Sequence, residues 1–236
     1  MRQQIPEACV ERLSLYVRAL TRLRQQRLEV VSSRHLAAQL GVTAAQVRRD
    51  LSYFGQFGTS GRGYEVQRLL AVLGDILGIQ GRTWHVALAG VGNLGSALLA
   101  YRGFRERGFV FRVAVDADPR KVGRVVQGLT IAPCERLSEL VRQHRVHVGI
   151  ITVPSDAAQA VCSQFIHGGV KAIVNFAPAR LEVPPSIRLR NVDLAIELEA
   201  MAFYLGRDEE LNNIHFASPA YRTGRRNLSG KYMAAQ

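Results

Sequence analysis

The 236 residues predict an α/β chain. A small winged helix-turn-helix head is followed by a parallel sheet of the Rossmann type. Three stretches carry this. The first is Trp84–Leu99, WHVALAGVGNLGSALL, an apolar strand followed by Gly90-Val91-Gly92-Asn93-Leu94-Gly95 and then small and apolar residues suited to a helix. Strand, G-x-G-x-x-G, helix is the dinucleotide fingerprint in the context it needs. Gly90 permits the tight turn, Gly92 leaves room for a pyrophosphate, and Gly95 lets helix and strand pack closely. The second is Asp116, at the end of the apolar strand Arg112–Val115. A carboxylate there, on the order of 20 residues past the glycines, accepts the adenosine ribose hydroxyls. The third is a pair of short helices on either side of Gly41, with a glycine-rich segment after them. The competing reading of 90–95 is a glycine turn in some other α/β sheet; strand, spacing and acid together favour the cofactor.

Composition sets the outer bounds. Apolar residues make up 47% of the chain, enough for two small domains or one large one. The net charge of +12 suits a polyanionic partner, or serves solubility alone. Residues 1–80 and 81–206 each carry a net +5, so charge by itself locates no nucleic-acid site. Cys9, Cys134 and Cys162 form no C-x-x-C and read as reduced, buried thiols of a cytoplasmic protein. No apolar run approaches 18 residues and no secretory h-region is present, so a soluble, intracellular chain without a membrane partner is expected.

In residues 1–80, Val10, Leu13, Val17, Leu20 and Leu23 recur at helical spacing and predict a helix over about 7–26. Ser32 or Ser33 caps a second helix, 34–40, and Thr43 caps a third, 44–54. Two short helices joined by a glycine turn form a helix-turn-helix candidate. The third helix turns Val47 and Leu51 inward and shows Gln46, Arg49 and Tyr53, flanked by Arg48 and Ser52, to the outside. Such a face suits base edges and phosphates of the major groove. Gly55, Gly58, Gly61 and Gly63, with Arg62 and flanking aromatics, read as a tight hairpin wing whose Arg62 enters a minor groove. A phosphate loop is disfavoured there, because the Gly-Lys-Ser/Thr ending of a P-loop is missing. A fourth helix uses Val66, Leu69, Leu70, Leu73 and Leu77, and 79–82 is the expected junction. The alternative to DNA binding is a small helical protein-interaction head.

The sheet domain is expected over 81–192. Leu129–Ile131, Val146–Val153, Lys171–Phe176 and Ile187–Val192 read as strands, and Glu135–His144 as a helix. Ser155 caps a further helix, to about His167. Thr152 and Pro154, and Asn175 and Phe176, lie at strand ends, the edge where ligands sit in such sheets. Asp193 opens a closing helix, 193–206, with Leu194, Leu198 and Met201 on one face and Ile196 and Phe203 on the other. A helix apolar nearly all round wants burial on both sides, which suggests insertion into a partner. Residues 207–236 read as a mobile tail. His144-x-x-His147 lacks a third ligand, so no metal site is expected, and no nucleophile–base pair stands out.

Together these pieces resemble the Rex family of redox-sensing transcriptional repressors. The carrying segments are Val42–Gly55 with its Arg-Asp-Leu-Ser-Tyr-Phe-Gly run, Gly58-x4-Gly63-Tyr64 and Gly90–Ala97. Further on they are Asp116–Gly123, Thr152–Pro154, Asn175–Pro178 and Glu182–Pro184. The resemblance spans about residues 6–206. It implies a homodimer that binds NADH and NAD+, exchanges its C-terminal helices between subunits, and represses respiratory and fermentative genes from double-stranded DNA operators. NADH is expected to release it. Arg49 stands where the family commonly has Lys, Ser60 where the wing usually has a basic residue, and Leu194 where Phe is frequent. The rival reading is a small NAD-dependent oxidoreductase with a helical interaction head. Only about 45 residues follow the last strand, leaving no room for a substrate domain, so no catalytic residue is assigned.

Overall fold

The structure, a computed structural model, describes residues 5–58 and 62–217, with side chains through 207. Its head packs α1 (Glu7–Gln25), α2 (Ser33–Ala38), α3 (Ala44–Ser52) and α4 (Val66–Ile76) around one apolar core. The predicted caps form. Ser32 Oγ accepts the N–H of His35 and Thr43 Oγ1 that of Gln46, each at 3.1 Å. Each cap satisfies an otherwise orphaned N–H and contributes about 1 kcal/mol. Leu13, Leu20, Leu36, Val47, Leu51, Leu69 and Leu73 fill the core.

One expectation about the head is corrected. The buried stripe of α1 is turned from the one expected: Val10 is exposed, while Cys9, Tyr16 and Ala19 face inward. Tyr16 can turn inward because Asp50 offers its hydroxyl a buried partner at 2.6 Å. The far end of the expected wing is anchored to the head: β1 (Val30–Val31) pairs antiparallel with β2 (Tyr64–Glu65), Val31 opposite Tyr64, and a Cβ on Gly58 would stand 2.7 Å from the Gly63 carbonyl oxygen. Val30 and Val31 suit a pleated strand better than a run of glycines does. Thr59, Ser60 and Gly61 lie outside the described residues.

The second domain is a seven-stranded sheet in the order β5-β6-β4-β3-β7-β8-β9. Its strands are β3 (Trp84–Ala89), β4 (Phe109–Asp116), β5 (Val125–Val126), β6 (Leu129–Pro133), β7 (Val148–Ile151), β8 (Ala172–Asn175) and β9 (Arg188–Asn191). All pairs are parallel except β5 with β6. The chain leaves β3 for β4 on one side and later returns to β7 on the other. The strand order therefore reverses beside β3, where doubly wound sheets open a crevice. Ala87, Ala89, Val113, Val115 and Ile151 pack on α7 (Leu137–Gln143) and α8 (Ser155–Gly168). The alternate residues Val86, Leu88 and Ala114 turn to α5 (Asn93–Ala100) and its Leu99. α6 (Arg102–Glu106) follows at once.

Ser155 is not a cap. It is the first helical residue of α8, Pro154 precedes it as N-cap, and no side chain closes that end. The closing helix α9 (Leu194–Ala217) also outruns the expected 206. No proline interrupts 207–217, and Glu209, Glu210 and Leu211 are good helix formers, so polarity alone misled the reading of a tail from 207. Residues 218–236 lie outside the described residues. Among the described residues no helix is long and apolar enough to cross a membrane.

Candidate functional site

On the head, α3 projects Arg48, Arg49 and Ser52 into solvent while Val47 and Leu51 are buried; Gln46 and Tyr53 are half-buried. Beneath this face lies a polar anchor. Asp50, 1% exposed, receives Arg12 through two bonds of 2.6 and 2.8 Å, Tyr16 Oη at 2.6 Å and Gln46 Nε2 at 2.8 Å. Burial pushes the Asp50 carboxyl up, but the bonds from Arg12, Tyr16 and Gln46 outweigh it and hold its pKa at about 2. The anchor ties α3 to α1. It also commits the Gln46 amide nitrogen inward. Arg48 Nη1 donates to Ser33 Oγ at 3.1 Å, and Ser52 Oγ donates to the Arg49 carbonyl at 2.7 Å. The Arg49 guanidinium makes no side-chain bond among the described residues.

A groove of about 870 Å³ runs between the start of α2, α3 and the wing, with Arg34, Arg48 and Arg62 along it. Arg34 and Ser33 were absent from the predicted face. Both begin α2, the first helix of the helix-turn-helix, and the sequence put them there next to the Ser32 cap.

In the sheet domain Gly90 and Gly95 have the turn and the close packing expected of them. Gly90 has φ +96° and a Cβ there would stand 2.6 Å from the Thr152 carbonyl oxygen. At Gly95 a Cβ would meet the Gly90 oxygen at 2.0 Å, so helix and strand touch there. A Cβ on Gly92 would meet nothing within 4 Å, which leaves the cradle open in front of α5. The first helical bond of α5 is the Ser96 N–H to the Gly92 carbonyl at 2.9 Å. The N–H groups of Asn93, Leu94 and Gly95 precede it and remain for a ligand.

Asp116 does more than its position at a strand end foretold. Its Oδ2 accepts the Val91 N–H at 2.7 Å and Lys121 Nζ at 3.0 Å; its Oδ1 accepts the Asp118 N–H at 2.9 Å. It thus braces the glycine turn from the neighbouring strand. Burial raises its pKa, and the bonds from Asp118, Lys121 and Val91 together bring it below the ordinary carboxylate range. Thr152 and Asn175 sit at the crevice edge but spend their donors locally. Thr152 Oγ1 lies 2.7 Å from the Gly90 carbonyl and 3.1 Å from that of Ala89. Asn175, 1% exposed, gives its amide to Ala177 O, Ala179 O and Asn191 Oδ1 and accepts the Ala177 N–H. It shapes the loop behind Phe176. Phe176 is half-buried against the Val86–Leu88 face, and Pro154 is exposed. Asp193 Oδ1 accepts the Ala195 N–H at 2.9 Å and starts α9. Beyond it Leu194, Leu198 and Met201 are 64%, 71% and 52% exposed, so nothing among the described residues covers them.

Among the described residues no three His, Cys, Asp or Glu side chains come together as a metal would need. His147 of the suspected pair accepts the His85 N–H through Nδ1 at 3.0 Å.

A family model described as a CoA binding domain matches residues 81–179, and one described as a putative DNA-binding protein N-terminus matches 4–52. The redox-sensing transcriptional repressor Rex of Desulfitobacterium hafniense is 48% identical over 86% of this chain and 96% of its own length. That of Streptomyces coelicolor is 44% identical over 85% and 77%. Among solved structures, RSP, a Rex-family repressor, superposes with a TM-score of 0.82 at 32% identity, covering 90% of this chain and 99% of RSP. RSP in complex with β-NAD+ and operator DNA gives 0.84 at 33%, covering 92% and 99%.

Head and sheet define the class, a transcriptional regulator built on a nucleotide-type sheet. The identity extends through both modules. The chain belongs to the Rex family of redox-sensing transcriptional repressors, whose named members are regulators rather than enzymes.

Proposed function

We propose that this chain is a cytoplasmic homodimeric repressor that binds inverted-repeat operators and is released from them as NADH rises relative to NAD+. The observation that carries the reading is the Asp116 brace. A carboxylate at the end of β4 holds the glycine turn of β3–α5 and keeps an acceptor for a ribose, in a chain whose head exposes Arg49 on a helix-turn-helix. The open cradle at Gly92 and the free N–H groups at the start of α5 fit a pyrophosphate.

On DNA, Arg49 reads a base, while Arg48, Ser52 and Arg62 hold phosphate or the minor groove. Tyr53 and the Gln46 amide oxygen complete the face. Arg binds the O6 and N7 of guanine through two bonds, so guanine is the expected base. Two-fold symmetry sets half-sites about one helical turn, or a multiple, apart. Gly90 through Gly95 and Asp116 hold the dinucleotide, with Thr152, Pro154, Asn175 and Phe176 lining the crevice through backbone and apolar surface. Asp193, Leu194, Leu198 and Met201 belong to the exchanged helix that joins the subunits.

The bound nicotinamide supplies a difference in charge, positive when oxidised and neutral when reduced. Phe176 and Leu194 present apolar surface, and burying a charge against such surface costs far more than burying a neutral ring. The closed dimer is therefore favoured by the reduced form. Moving it from 1:99 to 99:1 takes about 10⁴-fold preference for the closed state. The test is to titrate NADH into the DNA complex at fixed total nicotinamide. Release is expected to follow the NADH/NAD+ ratio; equal release by both forms would leave a DNA-binding protein that senses no redox state.

A further inference from the structure

Asp116 is nearly saturated before any ligand arrives. A carboxylate has about four lone-pair sites. Oδ2 already takes two donors, Val91 N–H and Lys121 Nζ, and Oδ1 takes one, Asp118 N–H. A single site remains. A ribose diol that donates both hydroxyls to one carboxylate needs two, so either Lys121 gives way or one hydroxyl turns elsewhere. Lys121 supplies that alternative. Its ammonium carries three donors, of which Asp116 uses one. Its side chain is 34% exposed against 10% for Asp116, so it reaches the pair from the solvent side.

The charges nearby point the same way. Asp118 is paired with Arg120. Arg124 has no carboxylate within 4 Å among the described residues. Lys121 therefore cancels the charge that would otherwise repel a 2′-phosphate. Asp116 and Lys121 together offer one acceptor, two spare donors and no net charge, whereas Asp116 alone would offer acceptors and a full negative charge.

We propose that Lys121 is a specificity-determining residue of the adenosine ribose subsite, making its choice between NAD(H) and NADP(H) rest on hydrogen-bond fit rather than on repulsion by Asp116. This rests on the dinucleotide reading above. It deepens that reading by assigning part of the selectivity to a residue outside the glycine fingerprint.

Calorimetric titration of the full chain with NADH and with NADPH tests it. Lys121→Met is expected to raise the ratio of NADPH to NADH dissociation constants roughly tenfold, the scale of one uncompensated charge a few ångströms away in a partly screened site. The added discrimination should shrink as salt is raised. Lys121→Arg, which keeps the charge, should stay near the wild-type ratio. Unchanged discrimination in Lys121→Met, or equal weakening of both nucleotides, would overturn the assignment. Failure of the wild-type chain to bind either nucleotide would instead defeat the dinucleotide reading itself, and the assignment with it.

Discussion

Arg49 and Asp50 are adjacent in the chain and do opposite work. Arg49 is exposed and has no side-chain partner among the described residues, so Arg49→Ala should cost roughly 1–3 kcal/mol of operator affinity and relax the choice at one base pair. Measuring binding to a panel of single-site operator variants checks this; uniform weakening across the panel would assign Arg49 to phosphate. Arg48→Ala is the contrasting case, expected to weaken all sequences alike and to flatten the salt dependence. Asp50 instead supports the helix from below. Its carboxyl titrates at about 2 when folded and near 3.8 otherwise, so the folded state favours the ionised form. That contribution, about 2 kcal/mol, is fully present above the ordinary value and is lost as pH falls through the folded one. Denaturant unfolding should therefore show stability dropping between roughly pH 4 and 2. Asp50→Asn should lose about 2–3 kcal/mol at neutral pH, since Arg12 keeps its charge without a carboxylate, and should flatten that acid slope.

At the scale of elements, long periodic stretches were legible and short ones were not. The core helices, β3 and β4 announce themselves by apolar period, and the Ser32 and Thr43 caps by residue type. β1 and β5 have two residues each and α6 has five, below any period that can be counted. Their existence depends on a partner distant in sequence, as Val31 depends on Tyr64. The site divides in the same way. Glycine roles follow from local backbone, whereas the Val91–Asp116 and Arg12–Asp50 bonds join residues 25 and 38 positions apart and leave no local trace. α9 is the element with the largest consequence. Its exposed Leu194, Ile196, Leu198, Met201, Phe203 and Leu205 need a cover that the described residues do not supply. Removing residues 193–236 should yield monomers or aggregates by light scattering, whereas cutting after Ala217 should leave the dimer intact. A stable, DNA-competent dimer of the shorter form would exclude helix exchange.

For the whole molecule, the two modules are joined by more than their linker. Arg190 on β9 bonds Glu7 at 2.5 Å and also Glu11, both on α1. Exposed pairs of this kind contribute little stability, about 0–1 kcal/mol, but they connect the sheet to the helix that carries the Asp50 anchor. Arg190→Ala should leave unfolding nearly unchanged while lowering the factor by which NADH weakens DNA binding. That factor must be the same when read the other way, as the weakening of NADH binding by DNA; measuring both directions in wild type and variant checks the coupling twice. The junction also contains the chain's one tryptophan. Trp84 Nε1 donates to the Gly78 carbonyl at 2.8 Å, and its ring meets His147 edge-on with centroids 5.2 Å apart. The molecule thus has a native fluorophore beside the linker between its modules. Indole emission overlaps the absorption of reduced nicotinamide and not of the oxidised form, so NADH should quench Trp84 by energy transfer. Any further change common to both cofactors would report on that linker contact, in unlabelled protein and in real time.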